Sequence, residues 1–189
     1  MHTKGNLLSI GGAILLFVLS AFVFAQEDPA IENGKNYDAG QVSPFLHSLY
    51  EKNDIVIDFS VTYAGRPDNG SDDFILTRKA NNILVYTFNQ RSGTLKQLNI
   101  PAESLDLIWK TFIQNDIFKM RDERDIAIFC AEKYHIYNSY TYEFTLLSKG
   151  RMKKLSYYAP EYYDEACYGM PERQKIINCA AVISYVLFK

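Results

Sequence analysis

The sequence predicts an α+β domain, an antiparallel sheet of about six strands with two larger helices packed on one face, in the order α-ββββ-α-ββ-α. Three observations carry this. Within Pro101–Met120, Leu105, Ile108, Trp109, Phe112 and Ile113 recur at i, i+3, i+4, i+7 and i+8, which is one face of a helix. The segments on either side alternate apolar and polar residues with a period of two, the signature of strands with one covered face. Turn-forming clusters separate those segments at short intervals, and neighbouring strands joined by short turns pair antiparallel.

In chain order, residues 1–25 have the layout of a secretory signal peptide. Lys4 precedes an apolar run from Leu7 to Phe24, and Val23-Phe24-Ala25 places tolerated residues at a cleavage site before Gln26. The run approaches the minimum for a membrane span, so an uncleaved anchor is the alternative. Gly11, Gly12 and Ser20 lower its hydrophobicity and favour cleavage. Either way the remainder is expected to be exported, periplasmic or secreted, and to touch a membrane only through such an anchor. Residues 26–42 are polar, with Pro29, Gly34 and Gly40, and read as a flexible leader unable to bury enough to offset its ordering. A single domain is expected over residues 43–189.

Ser43-Pro44 opens a short amphipathic helix through Phe45, Leu46, Leu49 and Tyr50, which also carries His47 as a surface or boundary residue. Ile55, Ile57, Phe59, Val61 and Tyr63 then alternate with Val56, Asp58, Ser60 and Thr62, predicting a strand wet on one face. After the turn-rich Ala64–Asp73 come a hairpin, Phe74–Lys79 and Ile83–Phe88, and a short strand, Thr94–Asn99. The tryptophan-bearing helix follows, with Trp109 expected between helix and sheet. Arg121–Asn138 is weakly patterned. Tyr140–Leu146 and Arg151–Tyr158 form a second hairpin around Lys149-Gly150. Ala159–Met170 reads as a loop, and Pro171 opens a closing helix with a stripe of Ile176, Cys179, Ala180, Ile183 and Leu187.

Charge and motifs exclude more than they assign. All 22 acidic residues lie beyond residue 25, and the only basic residue before it is Lys4, so the chain is close to neutral. No basic patch stands out, and nucleic acid is not an expected partner. The cluster Arg151, Lys153 and Lys154 suits a solvated strand face. There is no G-x-S-x-G, phosphate-binding glycine loop, H-E-x-x-H or C-x-x-C. Asp68-Asn69-Gly70-Ser71-Asp72-Asp73 is rich in oxygen ligands but fails the spacing of a calcium loop, so a solvated turn is expected. No metal, cofactor or catalytic residue is expected.

Cysteines and tyrosines supply the candidate site. Three cysteines in an exported chain allow one internal disulfide. Cys179 falls on the apolar stripe of the closing helix, where a free thiol behaves as a small hydrophobe. Cys130 and Cys167 lie at the outer ends of the second hairpin and are the candidate pair, with Cys167–Cys179 as competitor. Nine of the 14 tyrosines lie between Tyr134 and Tyr168. Those in strands, Tyr140, Tyr142 and Tyr157, need only β-propensity. Tyr134, Tyr137, Tyr162, Tyr163 and Tyr168, with His135, fall in expected loops at one end of the sheet and form a candidate recognition surface, since tyrosine combines rigid contact area with a polar tip.

The run of antiparallel strands, a helix ending in Asn115-Asp116-Ile117-Phe118-Lys119-Met120, a tyrosine-rich hairpin and a closing helix resembles small exported bacterial α+β domains of unknown function, over residues 74–187 and by pattern alone. The resemblance carries no activity and no functional residue. The expected function is a non-enzymatic exported module binding a protein, peptide or glycan through its tyrosine-rich loop end. The alternatives are a hydrolase using acidic and tyrosine residues of the same loops, among them Glu161, Asp164 and Glu165, and a structural envelope component.

Overall fold

The computed structural model describes residues 27–64, 73–126, 136–167 and 170–187. Alternation in the sequence becomes one antiparallel sheet of seven strands: β1 (Lys35–Asn36), β2 (Ile55–Tyr63), β3 (Asp73–Lys79), β4 (Asn82–Asn89), β5 (Thr94–Leu98), β6 (Tyr140–Ser148) and β7 (Arg151–Tyr158), in the spatial order β1-β7-β6-β2-β3-β4-β5. The six expected strands are all present. The seventh, β1, comes from the segment read as a leader.

Helices α1 (Pro44–Tyr50), α2 (Ala102–Gln114), α3 (Pro160–Ala166) and α4 (Pro171–Leu187) complete the domain. The two larger ones, α2 and α4, pack together over one face of the sheet. Ile108, Trp109 and Phe112 of α2, with Ile176, Cys179 and Ile183 of α4, meet Ile55, Ile57, Phe59, Leu76 and Phe144 in the main core. Trp109 lies at this boundary as its spacing requires, with the Arg78 guanidinium 4.6 Å above its ring.

The opposite face is not simply wet. Val56, Ile75 and Leu147 are fully buried there because α1 lies across them, sealing a smaller core with Leu46 and Met152. The alternation of β2 records which side chains share a face. It does not record a seven-residue helix arriving from upstream to cover the second one.

Residues 27–42 depart most from expectation, because they pack against the domain. Ile31 is buried in the main core, and Asp28 pairs with the buried Arg78 at 2.5 Å. Pro29 O accepts from Ser148 Oγ, Glu32 N donates to Phe118 O, and β1 pairs with β7 at Met152 and Arg151. Gly34 is required here: a Cβ would lie 2.5 Å from Ile31 Cγ2 and 2.8 Å from Met152 O. One apolar anchor, ion pairs from Asp28 and Glu27, and backbone hydrogen bonds hold a segment whose composition is otherwise polar.

The stretch expected as a loop after β7 also contains α3. Its start is a tight corner in which Ala159 takes φ 42°, and Pro160 then supplies a preset helical φ.

Candidate functional site

The helices do not cover the whole sheet. Beyond the end of α4, the strand ends around Tyr63 and Tyr140 carry an open groove of about 1020 Å³. Its floor is set by strand register. Phe144, Phe59, Phe74, Thr87 and Lys96 are successive cross-strand partners from β6 to β5. Five adjacent strands about 4.8 Å apart make that row roughly 19 Å long. Val61 faces Tyr142 and Tyr63 faces Tyr140 in the next two pairs on the same face, and Ile183, Ser184 and Leu187 of α4 form a wall.

Tyr140 and Tyr142 are fixed by one carboxylate. Their hydroxyls donate to Glu161 Oε2 at 2.5 Å and Oε1 at 2.7 Å. Burial, then the Glu161 charge, pushes the Tyr140 phenol up to about 12, and the same causes raise Tyr142 further. Both stay neutral at any physiological pH, so each offers a ring and a spare lone pair on its oxygen. Phe59 packs edge-on to Tyr142 with ring centroids 5.6 Å apart, which steadies the floor. Tyr63 stands at the mouth, 47% exposed.

The expected site residues divide. Tyr137 is 82% exposed and Tyr162 is also exposed, so both are available for contact. Tyr163 instead serves packing: its ring sits 5.2 Å from the buried Arg173 guanidinium and 6.3 Å from the Tyr158 ring, and its hydroxyl accepts from Ile136 N. Arg173 needs that setting because it is buried, with Glu123 Oε1 as its counter-ion at 3.0 Å. Cys167 is buried, whereas Cys179 is a free thiol in the main core, its pKa raised by burial to about 12. Tyr134, His135, Tyr168 and Cys130 lie outside the described residues, as does the Asp68–Asp72 part of the oxygen-rich turn. His47 is half-buried against Tyr37, whose hydroxyl lies 2.6 Å from His47 Nδ1.

Residue typing left the strand tyrosines that line the groove out of the expected surface. β-propensity accounts for Tyr140 and Tyr142 in a strand, but it says nothing about which end of the strand the helices leave uncovered. The signal available was the length of β2 and β6: paired residues continue to Tyr63 and Tyr140, four pairs past Phe144.

A second cavity of about 500 Å³ lies under the start of α1 on the other face. Asp58 of β2 and Asp73 of β3 line it, with Gln90, Thr145 and Lys154. Gln90 Nε2 bridges both Asp73 oxygens at 3.1 and 3.0 Å. Asp58 Oδ1 is buried without a hydrogen-bond partner. Burial, then the charges of Asp73 and Glu143, lifts its carboxyl to about 7, with Lys154 opposing.

Among the described residues no group of three or more His, Cys, Asp or Glu side chains is placed to hold a metal ion, and no helix is long and apolar enough to cross a membrane. Fold and groove together define a mixed α+β domain with one concave aromatic surface at the end of its sheet. Comparison with protein-family models, with curated proteins and with solved structures finds no match.

Proposed function

We propose that the protein is an exported binding module whose groove at the Tyr63–Tyr140 end of the sheet receives part of a partner. The observation that carries it is the open aromatic surface: Val61, Tyr63, Tyr140 and Tyr142 continue the core face of the sheet beyond the buried Phe59 and Phe74 and stay at least partly open to solvent beside the last turn of α4. Concave apolar surfaces with a few oriented polar groups are the usual form of a binding site. Exposed Tyr137 and Tyr162 extend the aromatic surface at the same end. A hydrolase finds less here, since Glu161 spends both oxygens on tyrosine hydroxyls and neither Asp164 nor Glu165 shares that hydrogen-bond cluster.

Export belongs to the same proposal, and the placement of the chain suits it. Glu27 Oε1 lies 2.6 Å from Lys149 Nζ at the β6–β7 turn, the opposite end of β6 from Tyr140. Nine residues of strand, roughly 30 Å, separate that point from the groove. A retained N-terminal anchor would therefore hold the groove away from the bilayer. The Cys130–Cys167 bridge fits the same compartment. Cys179 is a free thiol inside the main core, which keeps it apart from the proposed pairing.

Affinity capture from an envelope extract tests the proposal, comparing the native protein with Tyr63→Ala and Val61→Asp. Both sites are at least partly exposed, so the fold should persist, as circular dichroism will check. One protein, peptide or glycan species should be retained by the native form and reduced at least tenfold by either variant. Equal retention by all three would contradict the groove as the binding surface.

A further inference from the structure

The two edges of the sheet are treated differently. At the outer edge of β7, β1 pairs with Arg151 and Met152. Asp122 Oδ2 then accepts from Ser156 N at 2.9 Å, and Glu123 Oε2 accepts from Tyr158 N at 2.8 Å. Carboxylates from one short turn thus occupy the backbone donors that an added strand would use. At the other edge no described strand lies beyond β5, and Thr94–Gln97 are exposed. An open strand edge is a row of unpaired N–H and C=O groups, a template for one more strand.

That open edge is also where the groove ends. The floor row Phe59, Phe74, Thr87 runs out at Lys96, and Leu98 lies one step further along the same face of β5. Lys96 is the only charged residue lining the groove and has no ion-pair partner among the described residues. We propose that β5 receives an extended peptide segment as an eighth strand, with an acidic side chain opposite Lys96 and an apolar one opposite Leu98. This rests on the groove being the binding surface and names its ligand class.

The chemistry follows from strand periodicity. Side chains of the added strand that face the groove recur every second residue, so those opposite Leu98, Lys96 and Thr94 are spaced i, i+2 and i+4. The recognised pattern is an apolar residue, any residue, then Asp or Glu. Main-chain bonds to β5 supply affinity, and the side chain over Leu98 and the pair with Lys96 supply selection. A second copy of this chain suits the edge poorly. The sequence Thr94-Leu95-Lys96-Gln97-Leu98 centres on lysine, and antiparallel pairing with itself sets Lys96 opposite Lys96, where like charges repel.

A display library of random linear heptapeptides, panned against the purified exported protein, tests this. Enriched peptides should carry Asp or Glu two residues from an apolar residue. Binding one of them should slow amide hydrogen exchange across residues 94–98 at least tenfold. Lys96 is exposed, so Lys96→Glu should fold normally and should switch the enriched charge from acidic to Lys or Arg. Enrichment of nothing, or enrichment indifferent to Lys96→Glu with no protection of β5, overturns the inference. Concentration-dependent self-association protecting the same amides overturns it in favour of a second copy. Val61→Asp separates the two levels: peptides lost with Val61→Asp but indifferent to Lys96→Glu keep the groove and remove the edge, and the reverse keeps the edge and removes the groove.

Discussion

At the scale of single residues, Asp58 is the clearest point where packing sets chemistry. Thr145 and Ile75 are its cross-strand partners, Asp73 lies on the same face, and α1 closes over them. Burial holds its carboxyl near 7, against about 3.9 in the unfolded chain. Between those values the folded protein keeps a proton that the unfolded chain has released. Stability attributable to Asp58 is therefore full below about pH 4, falls as pH rises to 7, and stays reduced above it. Asp58→Asn removes the titration. Relative to the native protein, the variant should gain on the order of a few kcal/mol between pH 4 and pH 8 in urea denaturation. A pH-independent difference would show that Asp58 is solvated. Nothing in the alternation of β2 announces this, because Asp58 occupies a position that pattern alone assigns to water.

At the scale of elements, the N-terminal segment is the part whose role composition hides. Ile31 is the only large aliphatic residue in residues 27–41, yet it is buried in the main core, and Asp28 neutralises an arginine that is itself buried beneath α2. Ile31→Ala should cost about 2–5 kcal/mol, the range for truncating a buried aliphatic side chain. Loss of less than 0.5 kcal/mol would show that the segment is not part of the cooperative unit. Patterning worked elsewhere because it reports faces: α2 buries Ile108, Trp109 and Phe112 from the predicted stripe, and six strands form where period-two alternation places them. It failed where structure depends on contacts distant in sequence. β1 exists because β7 offers an edge more than a hundred residues away, and α3 exists because Ala159 and Pro160 turn the chain back towards Glu161's tyrosine partners.

At the scale of the whole molecule, the region of the candidate groove was legible in the sequence, but which tyrosines line it was not. Tyrosine density pointed to the end of the sheet at which the groove opens. Tyr163 proved to be a packing residue around Arg173, while Tyr140 and Tyr142 line the groove. Which tyrosines face an opening depends on where α2 and α4 stop over the sheet, a property of three elements at once. The proposed bridge is a whole-molecule constraint as well, closing a loop of some 37 residues. Non-reducing peptide mapping of the protein purified without reductant should recover Cys130 joined to Cys167 and a free Cys179. A Cys167–Cys179 peptide would contradict both the pairing and the place of Cys179 in the core.

The central claim is that partners meet the Tyr63 end of the domain. Site-specific photocrosslinking in intact cells measures this directly, with a photoreactive amino acid placed at Tyr63 in one strain and at Lys52 in another. Both positions are exposed, and they lie at opposite ends of the sheet, with Lys52 beside the start of β2. A discrete adduct at position 63, absent at position 52, is the predicted result. Adducts at position 52 alone, or at neither position, would contradict it.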